Sequence, residues 1–504
     1  MQRICGLTGQ LPLAIELAAA WVRALSCSEI AEEIEQSLDF LTTDLRDGQA
    51  RHGSLRALFH SSWQFLTHEE QRLLARLAIF SNGFTRNSAV EIAEATTRSL
   101  SALMDKSLLQ RGSNARYSMH PVVHQYAAEK LALDSTVQRN TAQRHCEHFA
   151  NFLEKRAATL KDGRLLTTIT EIEGELDNVR AAWHWAVEHV AAPQLSKMLD
   201  TVYSFWIHRG YYQEGFTLFT NAVAALQSHP VALGAALARQ AYFAYFLDRF
   251  DLAIDLARQS RTLLEISTLE GRADCALAYC VEGLSFWRSG NLIEARQAMH
   301  ASMELSLAVQ DLFSLGRAYL YQGILVHDEG QHEEALKWYK LAEDVDRRQG
   351  HPYAISSSLN NMGNLYFGLG DYDLAKEYWE QSLALTQQLG DRRSEAAVLS
   401  NLGLIEKVAG RLEVAREITA RALSIRRVVG DLSGATVTLA NLGDIANQQG
   451  DYPQALVYHR ESLMLCRQLN ITFTVSNALL GLGYAFLRLG ELGEARSYFT
   501  QALE

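Results

Sequence analysis

Along the second half of the chain, apolar and small residues return at helical spacing inside a longer period. In residues 353–390, Leu359, Met362, Gly363 and Tyr366 share one helical face, and Ala375, Trp379 and Ser382 give a second helix its inner face. Gly370-Asp371 stands between the two runs. Glycine suits the left-handed residue that ends a helix, and aspartate caps the next one. Gly390-Asp391 repeats the signal at the far end. Small residues at 363, 375 and 382 let the two helix axes approach, while Tyr366 and Trp379 fill the space beside them. The pattern recurs at a spacing of 40 without a slip: Gly283 to Gly483, Gly290 to Gly490 and Ala295 to Ala495 each form an in-phase series of six. A fixed period of this length predicts a stack of helical hairpins. It persists more weakly upstream, at Leu237, Ala241, Ala253 and Ser260, and before that at Leu199, Trp206, Gly215, Phe219 and Ala222. This predicts about eight hairpins over 195–504.

The first 190 residues carry no such period. Residues 51–133 contain amphipathic runs at Ser54–Phe65, Thr67–Phe80, Asn87–Glu94 and Ser99–Lys106. Leu108 to Met119 then reads as two short strands around a Gly-Ser-Asn turn. Helices followed by such a hairpin predict a winged helix over 51–133. Residues 1–50 form a separate helical remnant, and 134–194 a helical linker.

Composition narrows the class. The chain has 504 residues, 48% apolar and 21% charged, and only 6 prolines. Few helix breakers in a chain of this kind predict helices nearly throughout. Six scattered cysteines without paired spacing indicate buried apolar residues in a reducing cytoplasm rather than a disulfide framework. No apolar run is long enough to span a bilayer, and no signal-peptide pattern is present. The net charge of −11 argues against wholesale nucleic-acid binding.

The seven small and apolar positions from Leu359 to Ser382 match, in order, those of the tetratricopeptide repeat, so the second half resembles that family, with six residues more than its usual period. The expected fold is all-α: a winged helix, then a right-handed α-solenoid of tetratricopeptide-type hairpins. The first half adds a second resemblance. Gly9 to Leu13 resembles the G-L-P-L motif of STAND-class signalling ATPases of the NB-ARC kind, with Gln10 and Leu11 altering its interior. Met119-His120 resembles the start of their M-H-D motif, with Pro121 in place of the acidic residue. Asp177 to Ala182 resembles the linker that precedes their repeats.

That resemblance implies a phosphate loop upstream of the G-L-P-L motif. The chain has no Gly-Lys dipeptide, so no G-x-x-x-x-G-K-[ST] cradle exists here, and the expectation is a non-catalytic chain without a cofactor. ADP or ATP belongs to complete relatives. There, Pro12 would pack near adenine and His120 would contact the terminal phosphate. Otherwise Pro12 shapes a helix start and His120 caps a buried turn. His145-Cys146-Glu147-His148 looks like a metal cluster, but a solvated helix face is the expected reading and no metal site is assigned.

Two surfaces could bind partners. Residues 51–133 carry a surplus of +4, against −5, −2 and −8 for residues 1–50, 134–190 and the remainder. Arg86, Arg98, Arg111 and Arg116 could follow a DNA backbone, although the family resemblance implies a regulatory domain that does not read bases. In the solenoid, Asn360, Asn361, Asn364, Asn401, Asn441 and Asp444 fall on inner faces of first helices. An amide there can pair with both backbone groups of a bound peptide, or it can satisfy contacts between helices. Ala397, Asn401, Val437 and Asn441 offer no cation, so a clamp for a carboxylate tail is not expected. The reading is an adaptor that binds a protein, peptide or small effector in the solenoid groove and transmits that state. DNA-binding regulator and truncated nucleotide-binding ATPase are the alternatives. Association into a homo-oligomer stays open, and no polar capping helix follows Leu503, so the array is expected to be truncated or covered by a partner.

Overall fold

The computed structural model describes residues 2–7, 25–36, 62–112, 114–264, 270–469 and 474–503, with residues 15, 18, 19, 22, 60 and 471 between them. It divides into two compact units, one of residues 1–153 and 171–197, the other of residues 154–170 and 198–504. The whole G-L-P-L-like motif from Gly9 to Leu13, Pro12 included, and the first part of the Ser54–Phe65 run lie outside the described residues.

In the first unit, the helices His68–Leu77, Arg86–Ala93 and Thr97–Asp105 start on three threonine caps. The Thr67 hydroxyl accepts from the Glu70 N–H at 3.3 Å and the Glu70 carboxylate accepts from the Thr67 N–H at 2.8 Å. The T-x-x-E pattern at a helix start encodes this reciprocal pair. Two short antiparallel strands follow, Gln110–Arg111 and Tyr117–Ser118. Three capped helices therefore precede a short hairpin among the described residues of this segment.

A buried polar knot holds this unit together. Asn178, from the Asp177–Ala182 stretch, accepts from the Ser81 N–H at 3.0 Å and donates to Gly83 O at 3.1 Å and to the Glu175 carboxylate at 2.8 Å. Arg116 also bonds Glu175, at 3.0 Å through Nη2, and donates to Gly83 O at 3.2 Å. Arg116 is therefore engaged inside the fold and is not available as a phosphate contact. Arg116→Ala leaves the buried Glu175 without its cation. A loss of about 2–3 kcal/mol is expected, below the range for a fully buried pair because Arg116 is partly exposed. Chemical denaturation with a probe in the first unit would measure it; a loss under half a unit would show that Asn178 alone satisfies Glu175.

The metal-like sequence at 145–148 needs a correction. It does not form a solvated face: His145 and Cys146 are buried, along with Thr141, Phe149, Ala150 and Leu153, on one side of the helix Ser135–Glu154. His145 packs on Phe80 and Phe149. Burial lowers its pKa to about 4 and pushes the Cys146 thiol up to about 12. His148 turns toward Glu91, 2.6 Å away. The two histidines are thus core and rim of one helix, because their three-residue spacing straddles the edge of the buried stripe.

In the second unit, eight helical hairpins follow one another among the described residues, from Ala192–His208 with Tyr212–Ala225 to Val475–Leu489 with Leu492–Leu503. The fifth pairs Pro352–Gly368 with Tyr372–Leu389. Its helices have 17 and 18 residues, joined by connections of three and two. The six extra residues of the long repeat therefore lie in the helices. Gly370 adopts φ +82° and Gly390 φ +67°, and the Asp371 and Asp391 side chains accept from the N–H groups of Leu374 and Ser394.

In the third to eighth hairpins, a glycine of the first helix faces a side chain sixteen residues on, from Gly283 and Met299 to Gly483 and Phe499. A Cβ at Gly363 would sit 2.5 Å from Trp379, and one at Gly323 would sit 2.6 Å from Tyr339. Only glycine leaves room for those rings to lie against the backbone. The rings fill the seam that the missing side chains open, so close approach and large volume are one device.

Candidate functional site

First helices present residues spaced by four to the interior, as one helix face requires. Tyr242 and Phe246 do so in the second hairpin, and Phe313, Arg317 and Tyr321 in the fourth. With bulky side chains on these faces, the first two hairpins touch later ones across the interior. The Tyr353 hydroxyl donates to His208 O at 3.1 Å, Arg393 donates to Phe246 O at 3.2 Å, and the Ser433 N–H donates to Asp248 at 3.3 Å. These contacts bound a half-open cavity of about 180 Å³ on the concave side. A water needs about 10–15 Å³ of such space, so the cavity has room for on the order of a dozen atoms.

Its walls are aromatic and its polar groups few, the composition of a small-molecule site. Arg317 Nη1 donates to the Tyr203 hydroxyl at 3.0 Å, and its guanidinium lies 4.7 Å from the Phe313 ring centre and 5.4 Å from that of Tyr242. Arg393 lies over Phe246 at 5.1 Å and pairs with Asp431 at 2.9 Å. Asp346 lies along Gly316, where a Cβ would be 2.5 Å from its Oδ1, and accepts from the Ser358 hydroxyl at 3.1 Å. Burial raises its carboxyl to about 7, against the pull of Ser358 and Arg317.

Two histidines complete the wall and both stay neutral. Burial lowers His208 well below the usual value and His351 to about 4. The hydrogen bonds of His351 agree: Nδ1 accepts from the Ala354 N–H at 3.1 Å, which leaves Nε2–H to donate to Leu160 O at 3.2 Å. Leu160 belongs to the segment 154–170, which sits in the same unit. There Lys161 pairs with Asp200 at 2.7 Å and lies 5.7 Å from the Phe313 ring centre.

The inner-face amides form a ladder between hairpins. Asn401 Nδ2 donates to the side-chain oxygens of Asn360 and Asn364 at 3.0 and 2.9 Å. The Trp379 indole donates to Asn360 O and Asn364 Oδ1. Asn361 donates to Ser357 O of its own helix, and Asn441 to the Ser400 hydroxyl. Asp444 accepts from Lys407 at 3.4 Å and lies 3.7 Å from His459. None of these six lines the cavity. His120 caps the helix Pro121–Ala132, its Nδ1 accepting from the Val122 N–H at 3.3 Å. Pro121 takes the first helical position, where a missing N–H costs nothing.

Ala397, Asn401, Val437 and Asn441 carry no cation, but an earlier hairpin presents Arg317 on its inner face. Arg317 occupies the register of Ala397 and Val437, 80 and 120 residues earlier. Reading the same register through every hairpin, and not only the last ones, would have found it.

Comparison with known proteins places these features. The tetratricopeptide repeat family model matches residues 354–427 and 435–504. Putative HTH-type transcriptional regulators of Mycobacterium tuberculosis and Mycobacterium bovis are 29% identical over 248 residues, which is 47% of this chain and 28% of theirs. The match thus spans little more than a quarter of those relatives. The photosystem I assembly protein Ycf3 of Cuscuta gronovii is 33% identical over 137 residues, 24% of this chain and 74% of that protein. In structure, a STAND protein with a tetratricopeptide repeat sensor from Pyrococcus horikoshii superposes with a TM-score of 0.56 at 16% identity, over 97% of this chain and 72% of that one. Among the described residues no helix is long and apolar enough to cross a membrane.

Proposed function

We propose, from the premise that this chain belongs to the tetratricopeptide repeat family, that its solenoid is the sensing part of a STAND-type regulator. It acts by binding and not by catalysis. An effector enters the interior of the solenoid, and occupancy is relayed to the unit of helices and hairpin at 62–153 and 171–197. The observation that carries this reading is the half-open aromatic cavity, whose walls come from the first, second, fourth, fifth and sixth hairpins. A ligand there touches hairpins distant in sequence, so binding favours one curvature of the array over others. The fold shared with the Pyrococcus protein, and the regulator names of the mycobacterial relatives, support it further. Arg116, engaged with Glu175, does not favour the DNA reading for the basic segment.

The test is a thermal-shift screen of polar metabolites on the full chain and on Ala354→Trp, which fills the cavity. Compounds that stabilise the native chain and not the filled variant are expected, and they should slow hydrogen exchange in residues 62–153 and 171–197. Hits that stabilise both proteins equally, or no hits, count against the reading.

A further inference from the structure

We propose that the solenoid cavity binds a small monocarboxylate with a flat apolar body, and that Arg317 is the group that holds its carboxylate. The proposal rests on the reading of the solenoid as the effector-binding part and adds the ligand's chemistry.

The argument starts from charge pairing. A buried cation is strongly unfavourable unless a counter-charge accompanies it. The other deeply placed arginines of the solenoid obey this. Arg239 has Asp274 at 2.7 Å and Asp200 at 3.4 Å, Arg426 has Asp431 at 3.0 Å, and Arg393 shares that same Asp431. Arg317 differs: among the described residues no carboxylate oxygen lies within 4 Å of it. Its partners are one phenol hydroxyl and two ring faces. A guanidinium has five N–H donors in a planar fork that matches a carboxylate. One of them meets Tyr203, and the side chain borders the cavity.

The same surroundings choose among anions. A single cation with no carboxylate in ion-pair distance suits one negative charge. Asp346 and Asp391 also border the cavity, and the second arginine on its wall, Arg393, is already paired with Asp431, so a phosphate dianion would meet two carboxyl groups. The histidines add no charge, since both are neutral. The remaining wall is ring surface from Phe246, Phe313, Tyr212 and Tyr242, which suits a flat apolar body. Such a carboxylate can belong to a free organic acid or to the C-terminal residue of a peptide.

The probes are 3-phenylpropionate, its neutral analogue 3-phenylpropionamide, inorganic phosphate, and Gly-Gly-Phe with a free or an amidated C-terminus. Each is titrated into the full chain by calorimetry and thermal shift at millimolar concentration. The acid is expected to bind and to raise the melting temperature, and the amide is not. Arg317→Gln should weaken the acid by about 10–100-fold, Arg317→Lys by less, and the exposed control Arg348→Gln not at all. If Arg317→Gln does not fold, the Lys variant and the acid-against-amide comparison still decide. Binding of the free-carboxyl tripeptide above 3-phenylpropionate assigns the ligand to peptide ends, and the reverse to free acids. Equal binding of acid and amide overturns the carboxylate assignment while leaving the sensor reading intact. Binding of phosphate alone, equal binding by Arg317→Gln, or no binding by any probe also overturns it.

Discussion

Trp379→Ala is expected to destabilise the middle of the solenoid by about 3–5 kcal/mol, the range for a large aromatic removed from a packed core. Trp379 is 1% exposed. Its ring lies on the backbone of Gly363, and its indole N–H holds Asn360 and Asn364. Those amides in turn bind Asn401 in the next hairpin. Deleting the ring therefore opens a void within one hairpin and loosens its junction with the next. In a linear array, stability is a sum of hairpin terms and neighbour terms, so both losses fall in one place. Urea denaturation should show one transition for the native chain and two for the variant. Trp379→Phe, which keeps most of the volume but lacks the N–H, should lose about 1 kcal/mol beyond its packing change. A cost below about 1 kcal/mol for the alanine variant would mean that the seam relaxes around the void and that this junction does not couple the array.

The second large effect concerns pH. Asp346 is 2% exposed, and burial lifts its carboxyl to about 7 from an ordinary value near 3.8. Below the ordinary value, folded and unfolded chains both hold the proton, and Asp346 contributes no pH dependence. Between that value and 7 the unfolded chain has lost the proton while the folded chain keeps it. Stability must therefore fall as pH rises through this window, and level off above it. A shift of this size corresponds to up to about 4 kcal/mol, taken as an order of magnitude. Asp346→Asn keeps the shape and can still accept from Ser358, but it has no charge to bury. It is expected to match the native chain near pH 4, to exceed it increasingly up to pH 7, and to keep a constant advantage beyond. Melting temperatures from pH 4 to 8 decide this. Parallel curves for the two proteins would show that the carboxylate is accommodated in the folded state, by Arg317 or by water.

The hairpin array was written plainly in the sequence. Glycine, alanine and aspartate at fixed period fix local geometry: a left-handed helix end, a close axis crossing, a cap. Gly390-Asp391 does its work within a few residues of itself, so no distant information is needed to read it. The cap at Thr67 stands at the start of the expected run Thr67–Phe80, while those at Thr85 and Thr96 precede the expected runs by two and three residues. The edge of the buried stripe at His145 and His148 was not legible, because which side of a helix is covered depends on what packs there. The inner-face asparagines sit between these cases. Their position on first helices follows from the repeat, but their partners lie 37 and 41 residues away, and the sequence left open whether they face a ligand or one another.

By itself, then, the sequence determined that this chain builds helical hairpins at a fixed period, and that Trp379 fills the space beside a small-residue seam in the fifth of them. Only the tertiary structure decided what the interior is. Each repeat sets a small rotation, and the accumulated rotation brings the fourth, fifth and sixth hairpins back against the first and second. Those contacts turn an expected groove into an aromatic cavity and place Arg317 on its wall with, among the described residues, no carboxylate oxygen within 4 Å. No single period contains it, because it is a property of the sum and not of the repeat.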